Sequence, residues 1–388
     1  MASPQIEPLP TSSNSNKRLI LAAQISFLPT GVLTTVLGPM LPILILRWAL
    51  SDTQAGDLFL VQFLSALVGV QLSGVLLVRF GYRLAFLSGL LLMAAGAATL
   101  YAGSVWLGMA SVAAYGLGLG FIVPTDNLLI AEISSTSRTS AVTVLNFFWG
   151  MGAVFCSLMV AWAAAHRMLP VFFGSVSVFL VLLTVVAWRL PFPAAAARSD
   201  RGPSWREQTK NPTVWLFAAV FFFYPGAETA VGGWIGSYVA RLSPQAAHWA
   251  SLMPAFFWAA LTAGRATGTF FLSYIPERRV LRAGYAIAAA GIILMLLAST
   301  LPEVVLGALI TGLSFATLYP INVARLSQRF GVAARSLGAV MFSLAAVGPA
   351  VIPWMVGAIS QATGSLRAGL LLPLGASLFL FVIYLREW

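Results

Sequence analysis

The residue that most demands a chemical explanation is Glu228, the one charge in the run FFFYPGAETAVGG over 221–233, with no basic residue within a helical turn on either side. A charge at the centre of an apolar helix costs about 2.5 to 3.5 kcal/mol even on the lenient insertion scale, so it must face a cavity, find a partner or carry a proton. Such a carboxyl group can hold a cation, exchange a proton or accept hydrogen bonds from solute hydroxyls. Tyr224 lies one turn before it on the same helical face. Pro225, Gly226, Gly232 and Gly233 surround it and predict a weakened helix, a feature tolerated at mid-membrane where it lines protein or a watery cavity.

Further polar groups fall inside apolar runs. Asp126 and Asn127 follow Pro124 directly, and Arg265 lies deep in another run. Asp126 is read with Glu228 as a candidate ion-coupling residue, with a structural tie near the inner gate as its rival reading. Asn127, Asn146, Trp149, Tyr224, Glu228, Trp258, Asn322 and Trp354 are the candidate substrate-binding set. Amides and carboxylates suit the hydroxyls of sugar-like polyols, and flat indole faces suit their C–H surfaces.

Other chemistries are absent from the sequence. It has no Walker Gly-Lys-Ser/Thr loop, its two histidines (His166 and His248) fall in expected outer loops, and a single cysteine, Cys156, excludes an internal disulfide and a cysteine metal cluster. No nucleophile and base pair shares a run. No enzyme activity, metal site or cofactor is expected.

The elements that must position these groups follow from composition. The 388 residues are 59% hydrophobic and 9% charged, too apolar for a water-covered surface, so the natural solvent of most of the chain is lipid. Twelve runs reach the roughly 20 residues that a crossing helix needs: 19–46, 54–78, 84–103, 105–132, 139–165, 168–189, 213–240, 246–273, 280–299, 303–325, 336–360 and 366–385.

The net charge of +11 is spread over the connecting loops and speaks to topology rather than to nucleic acid. With the N-terminus inside, 17 basic residues fall on the cytoplasmic side and only Arg47, Arg167, Arg241 and Arg367 on the other, so both termini are expected in the cytoplasm. Residues 1–18 are expected as a polar, disordered tail rather than a signal peptide. The polar stretch 190–212 divides the runs six and six, giving expected domains at 19–189 and 213–388. GLGLGFIVPTDN from Gly116 and GLSFATLYPIN from Gly312 share Gly-Leu and a proline eight residues on, the mark of a duplicated unit.

These features together resemble the major facilitator superfamily. GVLLVRFGYR from Gly74 is similar to its Gly-x(4)-Asp/Arg-x-Gly-x-Arg signature, with Arg79, Gly81 and Arg83 in register, and GRATG over Gly264 to Gly268 is similar to the degenerate second copy. The resemblance implies a gate-bracing role for Gly74, Arg79, Arg83, Gly264 and Arg265. The acid many members carry at the Arg79 position is missing.

Within the superfamily the chain resembles the branch of the fucose-proton symporter and the sodium-dependent glucose transporters. The carriers of that likeness are LGPMLPIL, the glycine motif ending at Asn127, YPGAE, GLSFATLYP and VGPAVIPWMVG. The branch's acid in the glycine motif is replaced by Val123, and the first run has no Asp.

The resemblance implies an all-α membrane protein of two pseudo-symmetric six-helix bundles that rock about a central site, acting as a monomer. The expected function is secondary transport of a monosaccharide across the plasma or bacterial inner membrane, coupled to H+ or Na+. Proton-driven export of amphipathic compounds on the same fold is the alternative.

Overall fold

The computed structural model describes residues 13–133, 138–193, 210–272, 274–331 and 334–386. Most of the expected linker 190–212 and residues 1–12 of the expected tail lie outside them. Residues 13–18 are helical rather than tail, because the first helix begins at Ser13.

Every regular element among the described residues is helical. The first half carries α1 (Ser13–Thr35), α2 (Leu37–Trp48), α3 (Asp52–Phe80), α4 (Tyr82–Thr99), α5 (Val105–Ile133), α6 (Arg138–Ala165) and α7 (Leu169–Trp188). The second carries α8 (Pro212–Ala240), the short α9 (Pro244–Ala247), a 3-10 turn at Ala250–Leu252, α10 (Met253–Leu272), α11 (Glu277–Leu297), α12 (Leu301–Phe315), α13 (Leu318–Phe330), α14 (Ala334–Thr363) and α15 (Leu366–Leu385). Among the described residues, eleven stretches are long and apolar enough to cross a membrane. With the 20-residue α10, they account for the twelve expected crossings.

Two crossings are broken, and the same cause explains both. Proline has no N–H for the carbonyl four residues back. Pro39 leaves Thr35 without that bond where α1 gives way to α2, and Pro320 does the same to Ala316 where α12 gives way to α13. The weakened helix expected around Glu228 is not there: α8 runs unbroken through Pro225 for 29 residues. Its glycines serve packing instead, since a Cβ on Gly232 or Gly226 would fall 2.7 Å from Trp258 and 2.4 Å from Ile352. Small residues at such crossings let membrane helices approach closely.

The helices form two bundles. In one, α3 and α4 pack on α5, α1 on α6 and α4 on α7; in the other, α8 packs on α14 and α15, and α12 on α10 and α11. The bundles meet along α3 with α14, α6 with α10, and α2 with α8. The last pair touches through glycine: a Cβ on Gly38 would lie 2.6 Å from the Gly232 carbonyl.

Candidate functional site

Glu228 sits on α8 one turn before that Gly38–Gly232 contact, so it lies at the floor of the region where the bundles join. Asn211 caps α8 by accepting from the Thr213 N–H at 3.0 Å, and Pro212 occupies its first turn, so the helix is started firmly. Tyr224 and Glu228 share one face, four residues apart. The Tyr224 hydroxyl is hydrogen-bonded to Glu228 Oε2 and also reaches the Phe315 carbonyl at 2.8 Å. Phe315 ends α12, where carbonyls lack a helical donor.

The sequence places no cation near Glu228, but the fold does. Arg265 on α10 brings Nη2 to 3.8 Å from Glu228 Oε2, close enough for an ion pair and too far for a hydrogen bond. The same guanidinium lies 5.5 Å from the centre of the Trp149 ring on α6, in the other bundle. Trp149 meets Trp258 edge to face at 5.6 Å, and its indole N–H reaches Thr34 Oγ1 at 3.4 Å. Tyr319 on α13 stacks on Tyr224 at 6.1 Å.

Along α10, Trp258, Thr262 and Arg265 fall at spacings of four and three, hence on one stripe. Trp258 Nε1, Thr262 Oγ1 and Arg265 Nε are all buried without a hydrogen-bond partner among the described residues. Native interiors satisfy nearly all such groups, so three on one stripe facing the opposite bundle mark a surface able to bind acceptor oxygens. Thr34, Thr262 and the Phe315 carbonyl were missed in the sequence. The spacing 258, 262, 265 was a legible signal for Thr262; nothing in the chain pointed to the Phe315 carbonyl.

Other expected site residues lie elsewhere. Asp126 is fully buried inside the first bundle, accepting from Ser26 Oγ at 2.5 Å, not beside Asn127 in a shared cavity. Asn127 and Asn146 donate to their own helices, at Val123 and Val142. Asn322 is enclosed in the second bundle with Tyr285, Tyr384 and the Leu318 carbonyl. Trp354 donates to Asp57 Oδ1 at 3.0 Å where the bundles are joined. Of the eight expected substrate residues, the fold therefore gathers Trp149, Tyr224, Glu228 and Trp258, and adds Arg265.

The expected gate residues split as well. Arg79 is exposed, and Arg83 lies 5.3 Å from the Trp188 ring of its own bundle. A Cβ on Gly74 would meet nothing within 4 Å, whereas one on Gly264 would press on Ala316 at 2.6 Å. Among the described residues, no trio of His, Cys, Asp or Glu could hold a metal ion.

Opposite Arg79, the end of the molecule at Asp52 is closed. Arg241 donates to both Asp52 carboxylate oxygens, at 2.8 and 2.5 Å, and Ser360 Oγ donates to one at 2.6 Å. The Asp52 N–H donates to Gln361 at 3.1 Å. Glu228 and Arg265 retain some side-chain exposure.

Comparison with known proteins places this geometry in context. The profile described as Major Facilitator Superfamily matches residues 25–266. The chain is 23% identical to Bypass of stop codon protein 6 of Saccharomyces cerevisiae over 68% of its own length, spanning 58% of the yeast protein. It is 25% identical to a glucose/galactose transporter of Brucella abortus over 93% of both chains. Among solved structures, a point mutant of the nucleoside transporter NupG superposes with a TM-score of 0.77 at 16% identity, over 95% of this chain and 99% of that one. The E. coli fucose:proton symporter FucP, also as a point mutant, superposes with a TM-score of 0.66 at 18% identity, over 96% and 100%.

Proposed function

The chain belongs to the Major Facilitator Superfamily, and from that premise we propose that this membrane transporter moves a monosaccharide by alternating access, drawing on a cation gradient. The observation that carries the reading is the Tyr224–Glu228–Arg265 group facing Trp149 across the junction of the bundles. A carboxyl, a guanidinium and two indoles supply acceptors, donors and flat apolar faces, the mixture that hydroxylated rings require.

The Arg265 guanidinium beside Glu228 weighs against the lipophilic cations of an exporter. The Brucella relative's name supports a hexose. A nucleoside, suggested by the description of NupG, would offer ribose hydroxyls to the same groups. Trp149, Tyr224, Glu228, Trp258 and Arg265 are the proposed contacts, and Asp126 is an internal tie between α1 and α5.

The excess of basic residues at the Arg79 end supports its assignment to the cytoplasm, in the plasma or inner membrane, and the Asp52 seal then lies on the outer side. Gly74, Arg79 and Arg83 then line the rim that must close when the cycle reverses. Flux into proteoliposomes tests the reading, with labelled glucose, galactose, fucose and uridine offered under pH and sodium gradients imposed separately. Accumulation of a sugar under one gradient is the expected result. Movement of none of these solutes, with thermal stabilisation by lipophilic cations instead, would overturn it.

A further inference from the structure

We propose that the coupling cation is a proton carried by Glu228, and that Tyr224 registers its presence by choosing between two acceptors, the Glu228 carboxyl and the Phe315 carbonyl. The proposal rests on the reading of this group as the transport site. It begins with a count of hydrogens. The Tyr224 hydroxyl has one, yet two oxygens lie within hydrogen-bond reach of it: Glu228 Oε2 and the Phe315 carbonyl at 2.8 Å. The carbonyl can only accept. If Tyr224 donates to Phe315, the hydrogen shared with Glu228 must be the carboxyl's own.

With Glu228 protonated, each group is satisfied: the carboxyl donates to Tyr224, and Tyr224 donates to the last carbonyl of α12. The 3.8 Å gap to Arg265 fits this arrangement, because a neutral carboxyl does not draw the guanidinium into a charge-assisted bond of about 2.8 Å. Arg265 then has donors to offer a solute.

When the proton leaves to water in the cleft, Tyr224 turns its O–H to the carboxylate. Arg265 closes by about 1 Å, and the Phe315 carbonyl loses its donor at the break between α12 and α13. Proton binding therefore frees Arg265 for the solute and secures the broken helix, while proton loss does the reverse.

The groups that face this acid favour a proton over a metal cation. From α10 comes the Arg265 guanidinium, from α13 Tyr319, and behind Tyr224 stands Tyr285 of α11. The α14 side contributes Gly348 and Ile352 against Gly226, and α6 contributes Trp149. A fixed guanidinium beside the carboxylate repels Na+. Among the described residues, the oxygen within hydrogen-bond reach of the carboxyl is the Tyr224 hydroxyl, far short of a cation's usual oxygen shell.

Infrared spectroscopy of the full chain in lipid nanodiscs, titrated with acid in the absence of any solute, tests the proposal. A protonated-carboxyl C=O band is expected that is missing in Glu228→Gln, displaced in frequency in Tyr224→Phe, and unchanged when sodium replaces an organic cation. The 13C shift of the Glu228 carboxyl in the wild-type chain gives the same answer if the Tyr224 variant fails to fold. No Glu228-dependent band, a band indifferent to Tyr224→Phe in a folded variant, or its loss on adding sodium would each overturn the proposal. Because no sugar is present, a chain that shows the band but transports no sugar would count against the hexose reading alone.

Discussion

At the Asp52 end, the bundles are joined by short polar bonds and by backbone contacts made over glycine; toward the Arg79 end, the glycines of the same two helices, α3 and α14, meet nothing of the opposite bundle. Near the joined end, a Cβ on Gly56 would lie 3.0 Å from the Trp354 backbone, and one on Gly357 would lie 2.2 Å from the Asp52 carbonyl. Toward the other end, Gly74 faces open space and Gly338 meets only its own helix's Phe342. A handful of hydrogen bonds, each contributing about 1 kcal/mol net, holds the seal. An equilibrium of that size can be reversed by a solute that binds the other state better.

The contrast can be broken at several strengths. With Cys156 replaced by Ala and a reporter introduced as Asn146→Cys, an exposed position one turn before Trp149 on α6, thiol labelling from the Arg79 side reads how far the Asp52 end is sealed. Gly357→Leu should have the largest effect, because its side chain would occupy the place of the Asp52 carbonyl. Labelling should fall by at least about 10-fold, the equivalent of roughly 1.4 kcal/mol.

Arg241→Ala removes two bonds to Asp52 but leaves Ser360. The pair is partly exposed and screened, so a loss of about 1–2 kcal/mol and roughly a 5- to 30-fold fall are expected. Trp354→Phe deletes the bond to Asp57 alone, at about 1 kcal/mol and roughly a 5-fold fall. Gly74→Ala should leave labelling unchanged, since the new methyl has room; a strong fall there would show that the Arg79 end is not open. Equal effects at Gly357 and Gly74 would erase the comparison altogether.

Much of this architecture was legible in the chain. The twelve crossings follow from hydropathy alone, and the Gly-Leu repeat at 116 and 312 marks matching helices in the two halves. The cost of a charge in lipid singled out Glu228 without any structure. The partner of that charge was not legible, because Arg265 lies 37 positions away and only the packing of α10 against α8 and α12 brings it near.

Helix breaks were misjudged for a related reason. Proline removes one hydrogen bond wherever it stands, yet neighbouring helices decide whether the chain parts there. Pro225 and Pro124 are absorbed into continuous helices, whereas Pro39 and Pro320 are not. The amides misled in the same way. Asn127 and Asn146 satisfy themselves on their own helices, and Asn322 serves a tyrosine cluster, so residue type alone placed them in the wrong company.

The most direct measurement compares wild type with Glu228→Gln in the same proteoliposomes, separating accumulation against a gradient from exchange at equal concentrations. The account predicts that the variant, whose amide imitates the neutral acid, loses accumulation while retaining exchange. Gradient-driven accumulation equal to wild type would contradict it.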